Sequence, residues 1–180
     1  MRNTVQSRTM IRRISFVIAV MMGAALAQTD GPNNPLNDSL LDNMVGNWAL
    51  TGKIAGLDAV HEVTADWVLN HQFLRIHERD PKPSTPGARK PYEAMIFVGY
   101  DNAEKKYVVH WLDVFGGHFS ARAYGTRDGD AIKFVFEYPD GPFHTTFTWK
   151  PESRTWNWYM EQKDQRGQWK TFGDMTLMKR

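Results

Sequence analysis

The 180-residue chain contains no cysteine. Disulfide bonds, thiolate metal sites and a lipid-modified cysteine are therefore excluded. An exported product of this sequence would have to be stabilised by the packing of its core alone. A hydrophobic content of 42% is enough for one domain with a full core.

The chain contains 22 lysines and arginines and 20 aspartates and glutamates, so neither sign of charge is in large excess. No basic patch indicates a nucleic acid as partner. A second long apolar run is missing as well, so residues 14–26 are the single candidate for a segment that enters a membrane. These absences favour a soluble product without a nucleic-acid partner.

Residues 1–27 have the pattern of a secretory signal peptide. Adjacent arginines precede the apolar run 14–26, which ends in small residues and predicts cleavage between Ala27 and Gln28. Met10 would start a more compact signal of the same kind. We expect a secreted or periplasmic protein with no membrane span after cleavage, the alternatives being an uncleaved anchor or a twin-arginine signal.

Cleavage would remove four arginines and no acid, which leaves 18 basic and 20 acidic residues. Residues 28–35 are polar and contain proline and glycine, which predicts a mobile leader. Residues 36–180 would form one domain. Its first element is a short helix, because the apolar residues of 36–44 have helical spacing and Asp38 or Ser39 can cap it.

Large apolar side chains alternate with polar ones from residue 119 to residue 160, a period that is typical of half-buried strands. Three turns join these strands, at 128–129, at 140–141 and at 151–154. Pairing about these centres places the apolar residues on one shared face. The predicted partners are Phe119 with Tyr138, Ala121 with Phe136, Ala123 with Phe134, Tyr138 with Phe143, Phe134 with Phe147, Ile132 with Trp149, Trp149 with Trp156, Phe147 with Trp158, and Thr145 with Met160.

An earlier hairpin is predicted about Asn70 and His71, with an apolar face and a charged face. The apolar face contains Val63, Ala65, Trp67, Leu69, Leu74 and Ile76. The other face pairs Glu62 with Arg79, Thr64 with His77, and Asp66 with Arg75. A proline-rich loop from Pro81 to Pro91 follows as a lid, a rim or a spacer.

The hairpin of residues 92–113 is apolar on both of its faces. One face pairs Tyr100 with Tyr107, Val98 with Val109, and Ile96 with Trp111; the other pairs Met95 with Leu112, and Phe97 with His110. Such a sheet needs a second layer. The N-terminal helix or a partner subunit could supply it, so a homodimer is one expectation.

About ten antiparallel strands in simple succession, without helical crossovers, predict an all-β fold. We expect an up-and-down meander that closes into a barrel, preceded by the short helix. Closure removes the sheet edges that an aromatic sheet would otherwise expose. An open sandwich is the alternative.

Short motifs add a family resemblance. The Gly-Asn-Trp motif at 46–48 resembles the Gly-x-Trp signature of lipocalins and the calycin superfamily. A second set of residues is similar to the central pattern of an uncharacterised lipocalin-like family of bacterial exported proteins; it consists of 99–101, Tyr107 and 111–113. The same set is more distantly similar to the patterns of nitrobindin and fatty-acid-binding barrels. The resemblance begins at about Leu40 and implies a calycin barrel with a hydrophobic pocket. A second lipocalin signature, a Thr-Asp-Tyr-type turn, is not evident.

The same resemblance implies a structural role for Gly46 and Trp48, with Trp48 closing the barrel floor beneath a C-terminal cation, Lys179 or Arg180. Nitrobindin-like calycins bind haem through a histidine late in the chain. No histidine follows His144 here, so haem lacks support and we predict no cofactor.

Our leading hypothesis is a binding protein that holds a small hydrophobic or amphipathic ligand in an aromatic-lined barrel cavity. The candidate ligand-binding residues are Trp67, Tyr100, Trp111, Asp113, Phe134, Tyr138, Phe147 and Trp158. For the tryptophans, plain core packing is the alternative. We predict no metal site from His110, Asp113 and His118, because residues three apart on a strand point to opposite faces.

Two other functions stay open. A small enzyme could use Glu137 and His144, which face each other in the predicted hairpin, as a carboxylate–histidine pair. Surface ion pairs of this kind are, however, more common than catalytic ones. Alternatively, the barrel is an interaction module that dimerises through residues 92–113. Inverting the two faces of the sheet would instead put Arg75 or Arg122 in a polar lumen.

Overall fold

The computed structural model of the chain describes residues 34–81 and 91–180. The predicted signal peptide at 1–27 and most of the predicted leader and proline-rich loop lie outside the described residues. The described part contains ten strands and one short helix. They are α1 Ser39–Asp42, β1 Gly46–Ile54, β2 Leu57–Val68, β3 Phe73–Arg79, β4 Glu93–Asp101, β5 Lys106–Asp113, β6 Ala121–Asp128, β7 Ala131–Tyr138, β8 Gly141–Lys150, β9 Thr155–Lys163 and β10 Trp169–Lys179.

The ten strands form one closed antiparallel barrel. Each strand pairs with its neighbours along the chain, and β10 returns to pair with β1. Closure leaves every strand with two partners, so the sheet presents no open edge. The predicted all-β meander is confirmed, and the open sandwich is excluded. Within residues 34–81 and 91–180, no helix has the length and apolarity that a membrane crossing requires.

Apolar side chains fill the lumen, and the largest of them are aromatic. Trp156, Trp158, Phe134 and Phe136 are almost completely buried, whereas the intervening residues of their strands are more exposed. Removing this much apolar surface from water is the main force that stabilises the barrel. The inverted arrangement is therefore wrong, and Arg122 lies exposed on the outer wall.

Three of the predicted registers are confirmed. Strands β2 and β3 place Asp66 opposite Arg75, whose guanidinium donates two hydrogen bonds of 3.0 and 2.9 Å to the carboxylate. Strands β4 and β5 pair as predicted, and so do β8 and β9, where Trp149 lies opposite Trp156. In each case the turn and the apolar pattern agree on one register.

The register between β7 and β8 differs from the prediction by two residues. The turn is centred on Pro139 and Asp140 rather than one residue later. Gly141 then has a φ of 120°, a conformation that favours glycine. Tyr138, Phe134 and Ile132 consequently lie opposite Gly141, Thr145 and Phe147, not Phe143, Phe147 and Trp149. Because the shift is even, every side chain keeps its predicted face.

The register between β6 and β7 is also shifted by two residues. Phe134 lies opposite Gly125 instead of Ala123. The ring of Phe134 covers the space above Gly125, where a side chain would have been. The aromatic ring and the missing Cβ therefore fit each other across the two strands.

Helix α1 closes the barrel at the end where β1 begins. Asp38 caps it by accepting hydrogen bonds from the backbone N–H groups of Leu40 and Leu41, at 2.9 and 3.1 Å. The indole N–H of Trp48 donates to the carbonyl oxygen of Met44 at 2.7 Å. We call this the closed end, and the opposite end, where β3 ends and β4 begins, the mouth.

Helix α1 does not supply the second layer predicted over the outer face of β4 and β5, because it lies at the closed end. On that outer face Leu112 is 46% exposed. The partner subunit that we named as the other candidate stays a prediction.

We expect Gly125→Ala to lower the free energy of unfolding by about 1–3 kcal/mol. A Cβ at this position would lie 2.5 Å from the Phe134 ring and 2.9 Å from the Lys133 carbonyl oxygen. Gly117→Ala is the control, because nothing lies within 4 Å of a Cβ there. Urea unfolding measures both variants, and equal midpoints would contradict the packing of Phe134 over Gly125.

Candidate functional site

A polar cluster interrupts the apolar lumen near the mouth. His61 on β2 and Glu78 on β3 point inward and are 6% and 1% exposed. They continue the inward-facing series of Val63 and Ile76, which are buried apolar residues of the same strands. Burying an ionisable group at such a position lowers the stability of the fold unless the group is paired.

A chain of contacts holds the cluster in place. The backbone N–H of Tyr92 donates to Asp80 Oδ2 at 2.6 Å, and Asp80 Oδ1 lies 3.1 Å from His61 Nε2. His61 Nδ1 lies 2.6 Å from Glu78 Oε1. Only the imidazolium form of His61 has an N–H for both carboxylates. The Tyr92 ring stacks on the imidazole at a centroid distance of 5.5 Å and covers one of its faces.

The second oxygen of Glu78 is different. Oε2 is buried and has no hydrogen-bond partner. Burial raises the pKa of Glu78 well above its usual range, and the charges of Asp80 and Asp113 raise it further. The contact with His61 lowers the pKa and so opposes this shift. A buried acceptor without a partner is uncommon in folded proteins, because its lost hydration is not replaced. Glu78 Oε2 is therefore a free acceptor inside the barrel.

Aromatic rings line the mouth from the start of β4 to β10 in an unbroken series, which we call the aromatic rim. Neighbouring centroids lie 5.3 to 6.5 Å apart, a normal spacing for interacting rings. The rim consists, in order, of Tyr92, Phe115, Phe119, Tyr138, Phe143 and Phe172. Phe115 is 61% exposed, so the rim reaches from solvent into the barrel.

Burial also acts on the hydroxyl and carboxyl groups of the mouth. It raises the pKa of the Tyr92 and Asp113 side chains. Together with the charge of Asp113, it raises the pKa of Tyr138 to about 12. Both tyrosines are therefore neutral hydrogen-bond donors at physiological pH.

The structure separates the eight predicted ligand-binding residues into three groups. Trp111, Asp113 and Tyr138 lie at or just below the mouth. Phe134, Phe147 and Trp158 lie in the packed core, where Trp158 contacts Trp111 at a centroid distance of 6.4 Å. Trp67 and Tyr100 lie at the closed end, where Trp67 stacks on His71 and donates to Asp42.

The predicted pair of Glu137 and His144 is wrong. In the observed register His144 lies opposite Val135, and Glu137 lies opposite Pro142. His144 instead stacks on Trp169 on the outer wall, with Nδ1 at 3.7 Å from Glu161 Oε2. Burial lowers the pKa of His144.

The residues of the Gly-Asn-Trp motif lie at the closed end. Lys179 Nζ lies 5.4 Å from the ring centroid of Trp48, whereas Arg180 donates to Glu62 Oε1 at 2.7 Å. Lysine is thus the cation above the indole. In residues 34–81 and 91–180, no group of three or more histidine and carboxylate side chains is arranged to hold a metal ion.

Sequence reasoning missed His61, Glu78, Asp80 and Tyr92. A signal for the first two was present, because the alternation that places Val63 inside extends by one step to His61, and that of β3 extends likewise to Glu78. Polar residues at core positions were thus readable from the pattern. Their contact was not, since it depends on the diagonal approach of side chains on neighbouring strands.

A family described as a protein of unknown function, DUF1579, matches residues 37–179. The chain belongs to this family. No curated protein matches the chain. The match covers the helix and all ten strands, so the cluster at the mouth lies within the DUF1579 domain. The relationship to lipocalins stays a prediction.

We expect Glu78→Gln to stabilise this DUF1579 protein at neutral pH. Because the folded-state pKa of Glu78 is raised above its ordinary value of 4.5, folding loses stability as the pH rises from there through the folded-state pKa. Glutamine carries no charge and avoids this loss. The gain in melting temperature should therefore be small near pH 4 and larger near pH 8, values taken as approximate ends of the window.

The matched control is Glu104→Gln, in the exposed turn between β4 and β5 at the closed end. Its melting temperature should follow that of the parent at every pH. A Glu78→Gln difference that shrinks as the pH rises would mean that the ion pair with His61 outweighs the cost of burying the charge.

Proposed function

We propose that this protein binds a small amphipathic molecule at the mouth of its barrel, as an exported, lipocalin-like binding protein. The observation that carries the proposal is Glu78 Oε2, a buried acceptor without a partner, in a cluster whose His61 stacks on Tyr92 of the aromatic rim. Ligand sites are typically apolar walls with a few placed polar groups. The rim provides such a wall, and Glu78 provides the polar group.

The rigid support of Glu78 favours binding over a purely structural role. His61 holds Oε1 of Glu78 through a contact of 2.6 Å, and Asp80 in turn holds His61 through a contact of 3.1 Å, which leaves Oε2 without a partner. A ligand donor would meet an acceptor that is already oriented. Preorganisation of this kind reduces the entropy lost on binding.

The packed core favours a site at the mouth over one deep in the lumen. Phe134, Phe147 and Trp158 are buried against one another and leave the middle of the barrel filled. Surface clefts of about 380 and 220 Å³ lie on the outer wall, lined by residues such as Glu62 and Lys133. The filled core and the exposure of Phe115 support a ligand position above Trp111, beside Phe115.

The predicted signal peptide supports export, and the motif at 46–48 supports the lipocalin relationship. In the structure this motif opens β1 of a closed barrel whose floor is covered by a short helix. A cysteine-free barrel of this kind needs no oxidising compartment to fold. Export would bring the mouth into contact with extracellular or periplasmic small molecules.

The test is titration with N-phenyl-1-naphthylamine, an uncharged probe whose fluorescence rises in apolar surroundings. We expect saturable binding to the parent protein and a dissociation constant raised about ten-fold in Phe115→Ala, because the exposed ring loses its contact with the probe. The matched control is Leu112→Ala, which removes a similarly exposed apolar side chain from the outer wall. Its affinity should equal that of the parent.

Two results would refute binding at the mouth. One is the absence of saturable fluorescence with the folded parent protein. The other is an equal loss of affinity in Phe115→Ala and Leu112→Ala, which would place the probe on the outer wall or on the surface at large.

A second candidate function is acid–base catalysis by Glu78, favoured by the position of His61 between two carboxylates. Glu78 would move the proton, while His61 and Asp80 would position it. Native mass spectrometry of parent and Glu78→Gln from the same host separates the two functions. A molecule trapped only in Glu78→Gln supports catalysis; the same molecule in both, or in the parent alone, contradicts it.

A further inference from the structure

The described cluster at the mouth contains more acidic than basic side chains. Glu78, Asp80 and Asp113 lie there, and His61 bridges the first two. Over the described ranges 34–81 and 91–180, no lysine or arginine forms an ion pair with any of these carboxylates. His61 offsets at most one of these carboxylates, so the site can take up positive charge.

Mutual repulsion of the carboxylates strengthens this preference. The charges of Asp80 and Asp113 both oppose ionisation of Glu78, which is completely buried. A cation beside Glu78 would offset the repulsion and the cost of burial together. An anion would add to both.

The aromatic rim supplies the other half of a cation site. Tyr92, Phe115, Phe119 and Tyr138 follow one another at centroid distances of 6.0, 6.5 and 5.8 Å. The faces of aromatic rings are electron-rich and attract ammonium groups within about 6 Å of the centroid. A charge placed between these rings would stay stabilised after it has lost its water.

We propose that the mouth binds an amphipathic organic cation, namely a protonated primary or secondary amine attached to an apolar body. The ammonium N–H donates to Glu78 Oε2, the rim surrounds the charge, and the apolar body lies against Phe115. The unpartnered Glu78 oxygen selects an amine that has an N–H to donate. This inference rests on the proposed function, because it names the ligand class for the same site.

The experiment is displacement of N-phenyl-1-naphthylamine by octylamine, octyltrimethylammonium, octanol and octanoate. These competitors share one chain and differ in the head group. We expect octylamine to displace the probe at about ten-fold lower concentration than octanol, since a charge-assisted hydrogen bond replaces a neutral one. Octyltrimethylammonium has the charge without the N–H and should lie between them, and octanoate should be weakest.

Glu78→Gln should abolish the preference for octylamine over octanol, whereas Glu104→Gln should keep it. Asp113→Asn provides an independent variant that leaves the contact between His61 and Glu78 intact. It should reduce the preference without abolishing it. The same preference in Glu78→Gln as in the parent would overturn the assignment of Glu78.

The outcomes also separate this inference from the proposed function. If the probe does not bind the folded parent protein, the proposed function fails. If the probe binds and the head groups displace it equally, or octanoate competes best, the function stands and the cation inference fails.

Discussion

The structure depends on one constraint, the two-residue alternation of side chains around a closed antiparallel wall. Closure gives each strand an inner and an outer face, and the inner positions have to be filled by side chains that pack together. Aliphatic and aromatic residues fill most of them, and the largest are aromatic. Within this apolar filling the cluster of His61 and Glu78 occupies inward positions that a purely structural barrel would give to apolar residues.

The presence of His61 and Glu78 at these inward positions has an energetic cost and a functional consequence. Burying a carboxylate is unfavourable unless its oxygens are satisfied, and the barrel satisfies only one oxygen of Glu78. Residues that weaken a fold in a place where packing would be easy are typical of sites with another role. The unfavourably buried carboxylate lies at the mouth, beside the exposed rim and away from the end that the helix closes.

The two ends of the barrel have different chemistry. At the closed end Asp38 caps α1 and also accepts a hydrogen bond from the Tyr107 hydroxyl. At the mouth the acceptor of Glu78 lacks a partner, and Phe115 is exposed to solvent. A molecule that satisfies that acceptor and covers that ring would complete the mouth as the helix completes the other end.

Much of this could be read from the sequence, because the period of two and the turn residues are local properties. They predicted the all-β meander, about ten strands and the registers in which turn and pattern agree. The even register shifts at β6–β7 and β7–β8 left the faces unchanged, since parity survives them. Only the tertiary structure decided how residues far apart in the chain approach one another. His61 meets Glu78 and Asp80, and Tyr92 stacks on His61, because the stagger of neighbouring strands sets distances that no local pattern encodes.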